Sequence, residues 1–394
     1  MTSSLDVTLR NKTYSPVFKQ LGNSDVKTVL IRSQSRATPF NRGLETDVFY
    51  EVSTERSSRL ERVFVHVAQG TGNYKYLGDL NNNGVADDNE FELTRFDGDY
   101  IAITLPSDQL FPIIDLKTSV RFRISPKQFL KNPEDAFSKV LSVLSSESYV
   151  RVDEKSSEPD LKQIYLLHFR KFQNDSTTIA GSTIFTQDLN VLEGSPDVSV
   201  RLRYSQRTGL NRFTSGIERS YARERSIRLR LQLVKEIANQ IDYSNTIDRV
   251  NSNEPSNQLR DILSNSLVYD LSYRPEQNLE LGFKTQVGTS TDRFQIPELV
   301  SDLNTQSVRF VYAFSGAGQL RVETSREEVR LNRAVDVFPF ELTGGRVDGK
   351  TWLWNVAFDY RVTEFIQATM NYDGRAEGGD PPVHTARAEV RAFF

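Results

Sequence analysis

The sequence predicts an all-β protein, an antiparallel transmembrane β-barrel of about 10–18 strands with one short amphipathic helix. Three observations carry this. Side chains alternate apolar and polar with a period of two through most of the second half. The alternating runs are about 9–13 residues long, against the five or six usual in globular sheets. The connections between them alternate between tight Gly/Pro/Asn turns and longer polar loops, the rhythm of barrels built with short turns on one side.

Taken in order, residues 5–13, 27–35, 45–53, 61–68, 99–105 and 117–124 read as strands. Residues 134–147, "EDAFSKVLSVLSSE", follow Pro133 and space Phe137, Val140, Leu141 and Leu144 at three and four, which predicts the amphipathic helix. Strands are expected at 149–155 and 179–191, with a less regular stretch, "LKQIYLLHFRKF", between them. Then the alternation becomes strict. Val198, Val200, Leu202 and Tyr204 form one run, and Ile227, Leu229, Leu231 and Leu233 another. Leu267 to Tyr273 leads through "RPEQN" into Leu279 to Val287, and Val308 to Phe314 turns at "SGAG" into Leu320 to Thr324. Trp352 to Tyr360 runs into Ile366 to Tyr372, and "HTARAEVRAFF" closes the chain. Three segments are expected: 1–126, β-rich; 127–195, helix-containing with further strands; and 196–394, barrel hairpins.

Composition limits the function classes. Lys and Arg (49) nearly balance Asp and Glu (52), so the global charge gives no argument for nucleic acid. There is no cysteine, which removes disulfides, zinc thiolates and thiol catalysis. No window approaches the roughly eighteen apolar residues of a membrane helix, whereas barrel strands average out to a hydrophilic chain. The start, "MTSSLDVTLRNKTYS", has no basic region followed by an apolar one, so an exported chain is expected to be mature, trimmed or a fragment.

The polar face of the strands carries long charged residues of both signs, among them Arg201, Arg203, Arg228, Arg230, Asp270, Glu280, Lys284, Arg309, Arg321, Glu323, Arg387 and Glu389. Opposite charges on neighbouring strands can pair across a lumen, and an arginine-rich lumen would prefer anionic solutes. Tyr204, Tyr269, Tyr273, Tyr312, Tyr360, Tyr372, Trp352 and Trp354 stand on apolar faces, mostly near strand ends, where a lipid–water aromatic girdle would place them.

The terminal strand "ARAEVRAFF" resembles the C-terminal β-signal of bacterial outer-membrane β-barrel proteins, with Phe394, Val390 and Ala388 in the pattern and Ala392 where a bulky aromatic is usual. "TWLWNVAFDYRVTEFIQATMNYDGR" and "PPVHTARAEVRAFF" resemble the ends of large envelope barrels. The resemblance implies outer-membrane lipid around the apolar face, a barrel-assembly machinery that reads the strand ending at Phe394, and a pore, transporter or translocon role. The alternative is a calcium-stabilised surface β-sandwich of the adhesin kind, in which Leu229, Phe310, Trp352, Trp354 and Phe358 would be buried against a second sheet.

One motif carries chemistry. "DLNNNGVADDNE" sets Asp79, Asn81, Asn83, Gly84, Val85, Asp87 and Glu90 at positions 1, 3, 5, 6, 7, 9 and 12 of the EF-hand calcium loop. Hard oxygen ligands fall at alternate positions, Val85 supplies a backbone carbonyl, and Gly84 allows the sharp turn. The flanks "NYKY" and "FELTRF" read as strand or loop rather than helix, so a structural Ca2+ stiffening an exposed loop is expected. His66, His168 and His384 are scattered, and none of the common nucleophile, phosphate-loop or zinc motifs occurs, so no enzyme is expected.

Overall fold

The computed structural model describes residues 1–17, 26–84, 86–130, 135–158, 160–253, 259–314, 316–335 and 338–393. The described residues form eighteen strands. The chain divides into two compact units, 1–191 with 203–224 and 248–259, and 192–202 with 225–247 and 260–394. Strands β9 (Val198–Arg212), β10 (Ile217–Val234) and β11 (Ile237–Ser252) are shared between them.

The first unit holds β1 (Thr2–Lys12), β2 (Val26–Ala37), β3 (Leu44–His66), β4 (Gly72–Tyr76), β5 (Phe91–Gly98), β6 (Tyr100–Ile124), β7 (Leu144–Ser156) and β8 (Thr178–Val191). The order is β1–β2–β3–β6–β7–β8, antiparallel at each step, with β4 and β5 forming a small hairpin beside the start of β6. The stretches expected as separate strands at 45–53 and 61–68 are one strand, as are 99–105 and 117–124. Polar "TERSSR" and the prolines at 106 and 112 break the alternation, but β3–β6 pairing continues through them with a shift at Ser58/Leu60.

Helix α1 is Ala136–Ser142, capped by the Asp135 side chain on the Ser138 amide at 2.9 Å. It is shorter than the expected 134–147, whose first residue lies outside the described residues. Leu144–Ser148 instead pair with β8, and Ser146–Ser148 with β6 as well. Serine-rich sequence offers little helix propensity there, and two ladders outweigh one more helical turn.

The second unit is a nearest-neighbour meander of β12 (Arg260–Glu276), β13 (Leu279–Asp292), β14 (Leu299–Phe314), β15 (Gly318–Leu331), β16 (Gly349–Arg361), β17 (Ile366–Glu377) and β18 (Val383–Ala392). Connections at 277–278, 315–317 and 362–365 lie at one end of this unit, and those at 293–298, 332–348 and 378–382 at the other. Two short helices sit in long connections: α2 (Leu161–Tyr165) between β7 and β8, and α3 (Phe340–Thr343) between β15 and β16.

Candidate functional site

Register turns the alternation of each strand into two continuous faces. In the second unit, Leu281, Phe310, Val322, Val356 and Tyr372 stand opposite one another in a row across five strands. The next rows on this face are Leu279–Tyr312–Leu320–Phe358–Met370 and Phe283–Val308–Thr324–Trp354–Gly374. The face is not covered. Val308 is 53% exposed, Trp352 48% and Met370 47%, while Leu229, Phe310, Trp354 and Phe358 are half-buried by their neighbours.

Aromatic side chains gather towards both ends of this face. Near the tight turns Phe314 meets Tyr312, Phe358 and Tyr360 edge-on, with ring centroids 5.2, 5.9 and 6.0 Å apart. Eight residues along β16 from Tyr360 stands Trp352, about 27 Å away at the strand rise. Beside it Trp354 lies over Gly374, where a Cβ would fall 2.1 Å from the indole, and its ring is 5.6 Å from His384. Beyond Val308, towards the long connections, the face turns polar at Gln306, Asn304 and Asp302.

The opposite face carries charge in pairs. Arg274 and Arg309 both reach Glu280, at 2.8 and 2.9 Å, and Arg309 lies across Gly282, which leaves it room. Asp270 stands opposite Lys284, Arg309 opposite Glu323, and Arg228 meets Asp242 at 2.5 Å. The first unit repeats the pattern: Arg32–Glu51–Lys117–Asp115–Lys155–Glu55 form a chain of ion pairs across β2, β3, β6 and β7. Arg203 is bidentate on Asp188.

An apolar, aromatic-edged face left uncovered and a face of paired charges run along the second unit's strands β12 to β18, which are ten to seventeen residues long. The fold class is all-β and antiparallel, with strands of the length that crosses a membrane in β-barrels.

Two long connections fold back onto the sheet, on different faces. In the second unit the β15–β16 connection seats Leu342 of α3 against Ile262 and Leu299, with Leu331, Val335 and Phe338 around them. Ile262, Leu299 and Leu331 belong to the charged face, so this connection lies on that side. Arg260–Glu341 at 3.0 Å and Arg346–Glu327 at 3.3 Å fasten it. In the first unit the β7–β8 connection goes to the apolar face. Ile164 of α2 is fully buried on Val52, Ile114 and Leu116, and the Tyr50 hydroxyl donates to the Tyr165 carbonyl.

The acidic loop lies between β4 and β5. Asp79 accepts from the Asn83 and Gly84 amides at 3.2 and 2.9 Å, and those hydrogen bonds, Gly84 first, hold its carboxyl below the usual aspartate range. Asn82 and Gly84 take left-handed conformations, φ 58° and 72°. Asn81 and Asn83 converge through their amides on Asp87, at 2.7 and 2.8 Å. Glu90 is fully buried and accepts from the Leu80 and Asp87 amides and from the Tyr76 hydroxyl. The structure thus brings together Asp79, Asn81, Asn83, Asp87 and Glu90, while Val85 lies outside the described residues. Among the described residues no three His, Cys, Asp or Glu side chains form a metal-holding group, so ligation here would draw on the asparagine oxygens. The donor set, all hard oxygen, is of the kind calcium takes.

Sequence reasoning missed the residue that ties this loop down. Arg62 on β3 bonds Asp88 at 2.8 Å and Glu218 on β10 at 3.0 Å, and its guanidinium lies 4.4 Å above the Phe213 ring. Burial pushes the Asp88 carboxyl up despite the arginine. A partner 156 positions away leaves no local pattern.

No protein-family model matches the chain, and no curated protein matches it. Among solved structures it is similar to OccAB4 of Acinetobacter baumannii, at 9% identity over 99% of this chain and 95% of that one, with TM-score 0.34. It is also similar to the ferric-catecholate import receptor Fiu of E. coli K12 in its open form, at 9% identity over 95% and 63%, with TM-score 0.36. A mutant porin of Rh. blastica matches at 9% identity over 86% and 100%, with TM-score 0.24.

Proposed function

We propose that this chain is a pore- or transporter-type β-barrel of the bacterial outer membrane, its apolar face in lipid and its charged face along a polar passage. The observation that carries the reading is the uncovered apolar face around Val308, Val322 and Trp352, edged by aromatic clusters. A soluble β-sandwich would bury these side chains against a second sheet, so the adhesin alternative is disfavoured. Of the four arginines expected to favour anions, Arg203 and Arg228 are matched by Asp188 and Asp242. That pairing offsets their charge, so these two give no anion preference. No catalytic chemistry is assigned.

The test is threefold: a detergent requirement, a gel mobility that changes on heating, and ion conductance in a planar bilayer. A monodisperse protein without detergent would sink the proposal. Two further proposals go with it. Asp79, Asn81, Asn83, Asp87 and Glu90 hold a structural Ca2+, and no change in melting on chelation would remove that claim. The terminal strand, whose Phe394 lies outside the described residues, is read by the assembly machinery; deletion of Phe394 is expected to lower the folded fraction in the membrane.

A further inference from the structure

We propose that the β7–β8 connection is a docking surface for anionic, phosphate-bearing lipid; the proposal rests on the membrane-spanning reading above. Residues 161–173, "LKQIYLLHFRKFQ", contain Lys162, Arg170 and Lys171 and no acid. The segment divides its apolar residues between two directions. Ile164, Tyr165, Leu167 and Phe172 pack onto the apolar face of the sheet around Val52 and Leu116. Leu166 and Phe169 point away and are 67% and 62% exposed.

This division is built rather than incidental. Ile164 is fully buried, the Tyr50 hydroxyl holds the Tyr165 carbonyl at 2.9 Å, and Leu167 takes a left-handed φ of 56°. A non-glycine residue in that region costs energy that the surrounding contacts must offset. The conformation therefore holds Leu166 and Phe169 outward on a fixed platform, with Lys162 and Arg170 exposed near them. Lys171 is half-buried and leans on Glu158 at 3.7 Å.

The platform sits on the same face as Val48, Val120, Val150 and Phe185, which are themselves uncovered. On the proposed reading that face meets acyl chains. A segment at its margin presenting two apolar side chains and a set of cations matches the boundary where acyl chains give way to charged headgroups. The occupant is therefore a lipid with a negative headgroup: its chain lies against Leu166 and Phe169, and its phosphate meets Arg170 and Lys162. Each cation at an anionic lipid surface contributes roughly fivefold in affinity.

The experiment compares lipid retention by native mass spectrometry of the full chain in mixed phosphatidylglycerol and phosphatidylcholine micelles, with folding checked by heat-modifiable gel migration. The parent is expected to retain phosphatidylglycerol preferentially. K162Q/R170Q is expected to lose that preference by about tenfold or more, and L166S/F169S to weaken retention of both lipids. Excess inorganic phosphate is expected not to displace the lipid, since it supplies no chain. Equal retention of the two lipids by a folded parent would overturn the inference, as would a preference unchanged in K162Q/R170Q or abolished by phosphate. If the chain instead proves soluble without detergent, the membrane-spanning reading fails. In that case preferential binding to phosphatidylglycerol vesicles would still support the surface, and its absence would end it.

Discussion

Val322 lies at the centre of the uncovered face, between Phe310 on β14 and Val356 on β16. Four residues one way is Gly318, in the row of Phe314 and Tyr360, and four the other way is Arg326, in the row of Trp352. That interval is about 27 Å along the strand, which at a barrel tilt of about 35–45° spans roughly 20 Å along the membrane normal, within the ~25 Å apolar band. An arginine at Val322 would then sit near the bilayer midplane, where it costs about 2–4 kcal/mol. At ~1.4 kcal/mol per factor of ten, the folding equilibrium in lipid vesicles should fall roughly 30- to 700-fold. The control is Gln319→Arg, on the other face and opposite Asp359, which should be close to neutral. Urea titration of folding into phosphatidylcholine vesicles, followed by heat-modifiable migration, measures both. A half-buried strand position facing water tolerates such a change within about 0.5 kcal/mol. If Val322→Arg costs no more than Gln319→Arg, the assignment of this face to lipid is wrong.

Gly374→Val forces the Trp354 ring out of its seat, since even a Cβ falls 2.1 Å from the indole; a cost of about 1–3 kcal/mol and a shifted tryptophan emission are expected. Arg62→Met leaves the Asp88 and Glu218 carboxylates without their shared cation, at a cost of about 3 kcal/mol by thermal unfolding; a loss under about 1 kcal/mol would show the network to be dispensable. Acidification tests Asp79. Its folded pKa is depressed, so its contribution is fully present above the ordinary aspartate value near ~3.9 and fades only as pH falls through the lowered one. Protease resistance of the 79–90 loop should hold from neutral pH down to the ordinary carboxylate range. Asp79→Asn should remove the acid-dependent loss below it.

Period-two alternation made β12 to β18 legible almost strand by strand, because register there is set locally by tight turns and a consistent apolar face. β11 was not foreseen: "IANQIDYSNTID" puts Asn239, Tyr243 and Asn245 on the face where apolar residues were sought. Their amides and hydroxyl bond to β12 side chains, which satisfies them without alternation. The acidic loop was legible from spacing alone. The return of Leu342 to Ile262, like the reach of Arg62 to Glu218, joins positions far apart in the chain and leaves no local trace.

The β3–β6 ladder runs from Leu44 opposite Ile124 to His66 opposite Tyr100. Twenty-three residues of strand extend for about 75 Å, more than twice the ~30 Å hydrocarbon layer. Near its far end Phe64 and Phe91 are stacked with centroids 3.8 Å apart, beside the hairpin that carries the acidic loop. The ladder's hydrogen bonds run across its length, so a pull along the strands loads many of them in shear at once and none can open alone. In a membrane-spanning chain, the part of this ladder that outruns the hydrocarbon layer would hold the acidic loop well clear of the lipid.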